Sequence, residues 1–383
     1  MAKVLLVDTN FSAGPIFNEL TKMGHDVHVV GGNPADYLAK KVLRYWSVDY
    51  SSIEALLALV VNERFEYVIP GCNDKSYDSC ANLPSKYHKG FDSPETSNIL
   101  NNKGMFKQWA QRMGLPVAKV QHPDFQTLRW PLIVKPVDAF SGKGITRLEF
   151  SVKNDFEMAI GRAKNESSTK QYIVEDYVHG QLYSHSAFIR DQRIFQDFVV
   201  REDSTVNPFV VDTSRVIFDF PITILAQIRK CIEEIAQELK LVDGLIHTQL
   251  IVKDESFWLI ELTRRCPGDL YSQLIEMTTG FPYAKTYATC FLGKSVTDEL
   301  VKVRQRSIMR HTVTVAKSIK LGYIKFNEAL KIERWIPLSL VGDQIQPSPA
   351  SRIGILFCAA NTDDELMKIY GVTLSRNLYE VIE

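Results

Sequence analysis

The hydrophobic pattern at the start of the chain alternates between strands and helices. Residues 3–8 and 26–32 are short apolar runs, and a helical stretch separates them. A further helix near 52–63 and a strand at 65–71 repeat this order. Such repetition is typical of a parallel, doubly wound sheet with buried strands. We therefore predict a Rossmann-like α/β domain over residues 1–93.

A lysine and a glycine-containing loop mark the next part of the chain, which begins near residue 94. Residues 101–114 have apolar positions at helical spacing, and Lys103 stands at the start of that helix. Further on, an apolar strand ends at Lys135 and leads into a loop, DAFSGKG, at 138–144. The backbone N–H groups of such a loop can surround a polyphosphate. A flexible hairpin turn is the alternative interpretation, and the loop does not match the Walker pattern.

The stretch 245–269 has the pattern of a hairpin that carries polar side chains. Two apolar, β-rich runs flank a polar turn at 253–256. Since strand side chains alternate between faces, we expect Gln249 and Glu261 to face each other, with Arg265 on the side of Glu261. Oxygen ligands suit a hard metal ion, and a guanidinium suits a phosphoryl or carboxylate group. An amphipathic hairpin with a polar solvent face is the alternative.

The remaining segments predict a linker, a helix and a β-rich tail. Residues 171–189 contain a strand that reaches Glu175 and then an apolar turn, which could offer an adenine ring a wall and main-chain groups. Residues 221–240 have the apolar spacing of an amphipathic helix. From residue 305, β-like runs are separated by Pro and Gly, which indicates a β-rich C-terminal region.

Composition favours a globular protein with several domains. The 383 residues are 45% hydrophobic and 23% charged. Lys+Arg and Asp+Glu both number 45, so no net charge favours nucleic acid or an anionic membrane. No apolar run reaches the roughly 20 residues that span a bilayer. The six cysteines are scattered without a C-x-x-C pair, as expected for reduced thiols, and we expect a cytoplasmic protein.

The order and spacing of these parts resemble the ATP-grasp superfamily of carboxylate–amine ligases, of the biotin carboxylase and L-amino acid ligase type. The likeness rests on the leading α/β unit, the lysines before and within the glycine loop, the E-x-x-V linker at Glu175 and the late hairpin with Glu261. It implies an α/β and α+β multidomain fold. The implied units are a Rossmann-like domain at 1–93, an ATP-grasp domain at 94–304 with a nucleotide lid at about 115–180, and a β-rich cap at 305–383.

The resemblance also implies roles for individual residues. ATP with Mg²⁺ or Mn²⁺ would be the cofactors, and Glu261 and Gln249 would hold the metal. Arg265 and Lys135 would act in catalysis by stabilising the reacting phosphate. Nucleotide contacts would come from Lys103, Lys135, Ser141, Gly142, Lys143, Gly144, Glu175, Asp176, Tyr177 and Val178.

The resemblance also gives two candidate substrate residues, and the chain departs from the family at two positions of the predicted metal site. Arg264 would clamp a substrate carboxylate or form a structural ion pair, and Asp269 is a further candidate substrate contact. The family has a glutamate twelve residues before the position of Glu261, where this chain has Gln249. It has an asparagine two residues after that position, where this chain has Thr263. One formal negative charge is therefore missing at the metal, and Asp269 is a candidate to compensate for it.

The predicted function is an ATP-dependent ligase that activates a small carboxylate, for example an amino acid, as an acyl phosphate for attack by an amine. Its predicted partners are small molecules, with no nucleic acid and no membrane, and a homodimer is a possible assembly. One alternative is an ATP-binding regulatory module or pseudoenzyme, because Gln249 and Thr263 depart from the family. An oxidoreductase is a weaker alternative, because the first turn lacks the G-x-G-x-x-G fingerprint.

Overall fold

The computed structural model of the protein describes residues 1–87, 89–139, 142–294 and 304–383, and it begins with a parallel sheet. The strands of this sheet are β1 (Lys3–Val7), β2 (Asp26–Gly31), β3 (Tyr45–Ser47) and β4 (Tyr67–Pro70). They are parallel and lie in the order β3-β2-β1-β4. The connecting helices are α1 (Gly14–Lys22), α2 (Tyr37–Lys41), α3 (Ile53–Asn62) and α4 (Asp74–Ala81). The Rossmann-like unit predicted from the sequence is confirmed.

Two helices lead from this unit into the second part of the chain, and a side-chain cap starts each of them. They are α5 (Pro94–Asn101) and α6 (Lys103–Arg112). Ser93 and Asn102 accept hydrogen bonds from main-chain N–H groups of the first turns. The cap at Asn102 places Lys103 in the first turn of α6, so that Lys107 follows one turn later on the same face.

A small antiparallel sheet follows and has a hydrophobic core of its own. It consists of β5 (Leu132–Pro136), β6 (Thr146–Leu148) and β7 (Tyr172–Asp176), in the order β6-β5-β7, together with α7 (Lys153–Glu166). Leu132, Val134 and Phe156 pack together between the sheet and the helix. We call this unit the lid sheet.

The main sheet is antiparallel and contains the predicted hairpin. Its first strands are β8 (Gln181–Arg190), β9 (Arg193–Asp203), β10 (Thr213–Ile217), β11 (Gly244–Lys253) and β12 (Ser256–Thr263). The strands β11 and β12 pair directly, and Gln249 lies opposite Glu261. The hairpin and the facing of Gln249 and Glu261 are therefore as predicted, and the register shifts between Gln249 and Leu250. The helices of this part are α8 (Ile222–Glu238), α9 (Tyr271–Thr279) and α10 (Tyr283–Phe291).

Three of the C-terminal strands extend the same main sheet. The elements are β13 (Ser307–Val313), β14 (Ile319–Lys320), β15 (Tyr323–Phe326), β16 (Lys331–Pro337), β17 (Gln344–Ile345), β18 (Gly354–Ala360), α11 (Asp363–Leu374) and β19 (Tyr379–Ile382). Thr213 of β10 pairs with His311 of β13, so eight strands lie in the order β12-β11-β8-β9-β10-β13-β18-β16. The predicted β-rich C-terminal region is confirmed. Its strands β13, β18 and β16 are continuous with the preceding sheet, whereas β14 pairs with β17 and β15 pairs with β19 in two small sheets of their own.

One large core joins the N-terminal unit to the main sheet. Leu5 of β1, Tyr287 of α10 and Phe357 of β18 belong to this core. All six cysteines are buried and carry thiols without disulfide partners. Within the described ranges, no helix combines the length and the apolar character that crossing a membrane requires. The shared core brings α4 of the N-terminal unit close to the end of the hairpin.

Candidate functional site

Lys103 connects the lid sheet to the hairpin. Its Nζ donates a hydrogen bond to the carbonyl oxygen of Ala139, 2.8 Å away, at the base of the glycine loop. The same Nζ lies 3.4 Å from Oε2 of Glu261 on β12. One ammonium group therefore contacts both the base of the glycine loop and the hairpin.

A buried cluster of two lysines and one glutamate lies deeper on the lid side. Nζ of Lys135 is 2.8 Å and Nζ of Lys107 is 3.7 Å from Oε2 of Glu175. Lys107 also donates to the carbonyl oxygen of Leu259 on the hairpin, at 2.8 Å. All three charged side chains are buried, and Oε1 of Glu175 has no hydrogen-bond partner. An acceptor atom therefore remains available for a ligand.

Burial and the neighbouring charges shift the pKa values of this cluster in opposite directions. Burial lowers the pKa of Lys107 to about 8, while Glu175 opposes the shift. Burial alone would raise the pKa of Glu175, but Lys135 and Lys107 outweigh it and hold that pKa below its usual value. Lys107 was not identified from the sequence. Its position on the apolar face of α6, one turn after Lys103, is a signal that could have pointed to it.

The linker residues lie at the end of β7 and have protein partners. Arg129 donates to the carboxylate of Asp176 at 2.9 Å. The guanidinium of Arg147 lies over the ring of Tyr177, 4.1 Å from its centroid, and donates to its hydroxyl at 3.2 Å. Val178 is half-buried. The predicted contacts of these linker residues with a nucleotide stay predictions.

The glycine loop packs against the connection between β9 and β10. Gly142 and Gly144 have φ angles of +68° and +70°, which side chains disfavour. A Cβ at Gly142 would lie 2.6 Å from the carbonyl oxygen of Phe209, so only glycine fits there. Lys143 is exposed, and Ser141 lies outside the described residues. The predicted loop therefore requires glycine where it meets the main sheet.

The predicted metal ligands sit opposite each other on the hairpin. The side chain of Glu261 is 37% exposed, and Nε2 of Gln249 donates to Oε2 of Glu202 at 2.7 Å. Burial and the nearby Asp269 raise the pKa of Glu202 to about 7. In the described part of the chain, no three His, Cys, Asp or Glu side chains form a group that could hold a metal. A metal here would need further oxygen ligands from phosphate and water.

Arg265 is held by the N-terminal unit. Its Nε and a terminal nitrogen donate to the two oxygens of Asp74 at 2.7 and 3.2 Å. Thr263 donates to the same carboxylate at 3.3 Å. Burial would lower the pKa of Arg265, but Asp74 outweighs it and raises that pKa above its usual value. Asp74 stands at the start of α4, so the predicted catalytic arginine is oriented by a helix of the N-terminal unit.

The two predicted substrate residues are engaged elsewhere. Arg264 is buried and donates to Asp92 at 2.7 Å and to the carbonyl oxygen of Leu245 at 2.6 Å. This geometry favours the structural ion pair over the substrate clamp. Asp269 lies 3.0 Å from a terminal nitrogen of Arg310 on β13, and its other oxygen accepts the N–H of Tyr271. The side chain of Asp269 therefore forms an ion pair with a C-terminal strand, β13.

Comparison with known proteins agrees with this geometry. Residues 128–273 match the model of the ATP-grasp domain. The formate-dependent phosphoribosylglycinamide formyltransferase of Methanocaldococcus jannaschii is 23% identical over 143 residues, which are 34% of this chain and 36% of that protein. The chain thus matches only about a third of the length of that relative.

Solved structures extend the likeness to the whole chain. The L-amino acid ligase from Bacillus licheniformis has a TM-score of 0.79 and 18% identity, and the match covers 100% of this chain and 98% of that chain. The phosphoribosylglycinamide synthetase from Anaerococcus prevotii has a TM-score of 0.76 and 16% identity, and the match covers 100% and 99% of the two chains. At these identities the likeness shows the fold. The ATP-grasp resemblance inferred from the sequence is confirmed.

Proposed function

We propose that this chain, in which residues 128–273 form an ATP-grasp domain, is an ATP-dependent ligase that joins a small carboxylate to an amine. The observation that supports this most is the position of Lys103, whose ammonium contacts the lid sheet at Ala139 and the hairpin at Glu261. A cleft with lysines on one side and a carboxylate on the other suits a triphosphate with its metal.

The lid sheet and the neighbouring helix α6 offer a nucleotide both positive charges and hydrogen-bonding groups. Lys103 and Lys135 would neutralise the phosphate oxygens, and the backbone at Gly142 and Gly144 would cover them. The buried Oε1 of Glu175 has no partner and would accept a hydrogen bond from a ribose hydroxyl or an adenine amine. The same cluster would exclude water from the phosphate groups.

The hairpin fits a metal that arrives with the nucleotide. Glu261 offers one accessible carboxylate, and Gln249 lies opposite it with an amide oxygen. Mg²⁺ in proteins commonly binds through one or two carboxylates and takes its other ligands from phosphate and water. When bound, it would neutralise charge on the phosphate oxygens.

The reaction that these groups suit has two steps. A carboxylate oxygen attacks the terminal phosphorus, the bond to the ADP oxygen breaks, and an acyl phosphate forms. The amine nitrogen then attacks the acyl carbon, phosphate leaves and the amine loses a proton. Arg265, oriented by Asp74, would stabilise the transferring phosphoryl group, so the protein contributes positioning and charge.

A second candidate function is an ATP-binding regulatory module with little turnover. Two observations favour it. Gln249 and Thr263 stand where the family has glutamate and asparagine, and the described residues contain no multi-carboxylate metal group. Such a module would bind ATP but release no ADP in response to substrates.

The test is ADP release over a panel of small acids, amino acids and amines, with ATP binding measured in parallel by calorimetry. We expect ADP release only when an acid and an amine are both present, and loss of it in Glu261→Ala. The matched control is Glu157→Ala, an exposed glutamate of α7. ATP binding without turnover would support the regulatory module, and absence of ATP binding would refute both functions.

A further inference from the structure

Gln249, a residue of the proposed metal site, lies between two glutamates of the main sheet. It stands on β11 opposite Glu261 of β12, and its Nε2 donates a hydrogen bond to Oε2 of Glu202 at 2.7 Å. In the order of the strands, β12 lies on one side of β11, whereas β9, the strand of Glu202, lies on the other side beyond β8. Glu261 and Glu202 therefore flank Gln249 from opposite directions.

A small residue on the intervening strand β8 lets Gln249 reach Glu202. The residue of β8 that pairs with Gln249 is Ser184, whose side chain ends at its hydroxyl. That hydroxyl lies 2.9 Å from the hydroxyl of Tyr271, so it has a partner of its own. The longer side chain of Gln249 can therefore extend across β8 to the carboxyl group of Glu202 on the next strand.

The hydrogen bond to Glu202 decides which way the amide of Gln249 faces. The two ends of an amide differ, because its nitrogen donates hydrogen bonds and its oxygen accepts them, whereas an ionised carboxylate only accepts. With Nε2 held at Glu202, the amide oxygen occupies the other branch of the planar group and is directed away from Glu202. The strand order places Glu261 on that side of Gln249.

Glu202 carries its carboxyl group in a buried position, since the residue is only 4% exposed. Burying a carboxylate is unfavourable, and a well-packed apolar residue of similar volume often stabilises a fold at least as well. A role in packing alone would therefore not require a carboxyl group here. The amide of Gln249 does require an acceptor, because the acceptor fixes which of its two ends faces Glu261.

Glu202, and not Asp269, is the acidic residue that supports Gln249. Asp269 lies 3.0 Å from a terminal nitrogen of Arg310, and its other oxygen accepts the N–H of Tyr271. Both of its oxygens are thus engaged, whereas Glu202 contacts the glutamine directly. The acidic side chain that accompanies glutamine at position 249 therefore lies on β9.

We propose that Glu202 is a positioning residue, which holds Nε2 of Gln249 and thereby presents the amide oxygen of Gln249 to a Mg²⁺ ion beside Glu261. The inference rests on the proposed function, because it takes the hairpin as the place where the metal of the nucleotide binds. A carbonyl oxygen is a suitable ligand for Mg²⁺. Residues that hydrogen-bond to metal ligands orient them, and their loss lowers metal affinity about 10- to 100-fold.

The test uses variants of the full chain at the two positions of this hydrogen bond. Glu202→Met removes the acceptor at similar volume, and Glu202→Gln removes the charge but keeps an oxygen that can accept from Gln249. Gln249→Met removes the proposed ligand itself. The double variant Glu202→Met/Gln249→Glu has a glutamate at position 249, whose two equivalent oxygens need no orienting partner.

The matched control is Glu276→Met. Glu276 of α9 is half-buried and also accepts a hydrogen bond from a glutamine amide, that of Gln273, at 2.5 Å. Its replacement removes a comparable Glu–Gln pair that has no contact with the hairpin glutamine. Thermal unfolding of each variant reports on folding.

The readout is the affinity for Mn²⁺, which shares the preference of Mg²⁺ for oxygen ligands. Binding is followed by the loss of the paramagnetic resonance signal of the free ion, with and without a non-hydrolysable ATP analogue. The pH is about 8.5, so that carboxylates are ionised and only accept hydrogen bonds. Calorimetry measures binding of the analogue without metal, and none of these measurements needs turnover.

With the analogue present, the Kd for Mn²⁺ should rise about 10- to 100-fold in Glu202→Met and in Gln249→Met. Metal-free binding of the analogue should stay unchanged. Glu202→Gln should remain within about 5-fold of the wild type, because its amide oxygen still accepts the hydrogen bond. The double variant should bind Mn²⁺ at least as tightly as the wild type, and the control should keep the wild-type Kd.

Three results would overturn the positioning role. The first is a wild-type Kd in Glu202→Met or in Gln249→Met. The second is an equal loss in Glu202→Gln and Glu202→Met, which would show that Glu202 acts through its charge. The third is a double variant that binds Mn²⁺ no better than Glu202→Met, because the effect would then not pass through position 249.

The failure of this inference and of the ligase function are distinguishable. The expected pattern of Mn²⁺ affinities without any ADP release would keep the positioning role and refute the ligase. ADP release in response to an acid and an amine, with an unchanged Kd for Mn²⁺ in Glu202→Met, would keep the ligase and overturn the positioning role.

Discussion

Arg265 and Asp74 join the end of the hairpin to the N-terminal unit through two hydrogen bonds, at 2.7 and 3.2 Å. The arginine follows the hairpin of the main sheet, and the aspartate starts α4 of the N-terminal unit. Bidentate pairing fixes the plane of a guanidinium, which a single ammonium contact cannot do. The orientation of the proposed catalytic cation therefore depends on how the N-terminal unit is docked.

Replacing Arg265 by lysine should lower kcat for ADP release about 100-fold, because lysine keeps the charge but loses the planar fork. Asp74→Asn should cost less, since one neutral acceptor remains for the arginine. Steady-state kinetics with saturating ATP measures both. Arg162→Lys on α7 is the control, and a normal kcat in Arg265→Lys would exclude Arg265 from the reaction.

Glu261→Gln should raise the Mg²⁺ concentration needed for half-maximal ADP release at least 10-fold, because the carboxylate of the proposed metal site is neutralised. The measurement is a Mg²⁺ titration at fixed ATP. Glu157→Gln serves as the exposed control, and identical Mg²⁺ curves for all three proteins would remove Glu261 from the site.

Glu175→Gln should destabilise the fold by roughly 3–5 kcal/mol, because it leaves two buried lysines without their counter-charge. Urea unfolding of the apo protein gives this value. The exposed Glu157, 3.9 Å from Lys153, is the matched case, and Glu157→Gln should change the free energy of unfolding by less than about 0.5 kcal/mol. Equal effects at the two positions would contradict the buried cluster.

Gly142→Ala should weaken ATP binding about 10-fold, because its Cβ would push the loop away from Phe209. The control separates this contact from backbone strain. Gly114 has a similar φ angle of +70°, but an added Cβ would meet no atom within 4 Å. Gly114→Ala should therefore cost about 1–2 kcal/mol of stability and leave ATP binding unchanged. Calorimetry and urea unfolding distinguish the two effects.

Glu202→Gln should change how stability depends on pH. Burial raises the pKa of Glu202 from 4.5 to about 7 in the folded chain. The folded chain then holds a proton that the unfolded chain has lost, so the wild type loses stability as pH rises from about 4.5 to 7. The variant lacks this loss, and its Tm should gain several degrees over the wild type across that range. Parallel curves would show that Glu202 does not titrate there.

Local pattern was sufficient for the elements that carry the site. The parallel strands are short apolar runs, and two β-rich runs around a polar turn predict the hairpin. The register of the hairpin is less local, because a shift between Gln249 and Leu250 is what places Gln249 opposite Glu261. Lys103 and Lys135 were identified because each stands near an end of an element. Lys103 is the first residue of its helix, after the cap at Asn102, and Lys135 is near the end of its strand, before the glycine loop. These features depend on neighbours within a few residues.

Long-range pairing was not predictable in the same way. Glu202 lies on β9 and Gln249 on β11, and their side chains meet across β8, the strand between them in the main sheet. No local spacing in the sequence encodes this strand order. Arg310 of β13 likewise meets Asp269, which follows the hairpin, and β13 lies beside β10 through pairs such as Ser214 with Arg310, 96 residues apart in the chain. The functions of buried polar residues depend on such pairings, which the pattern of a single sequence does not contain.

The pairing of β10 with β13 also decides how the protein responds to shortening. A chain that ended at residue 304 would leave the backbone N–H and C=O groups of β10 facing solvent along its length. Such an edge is a template for a strand of another molecule. Removal of the C-terminal strands should therefore produce aggregates rather than a smaller working protein.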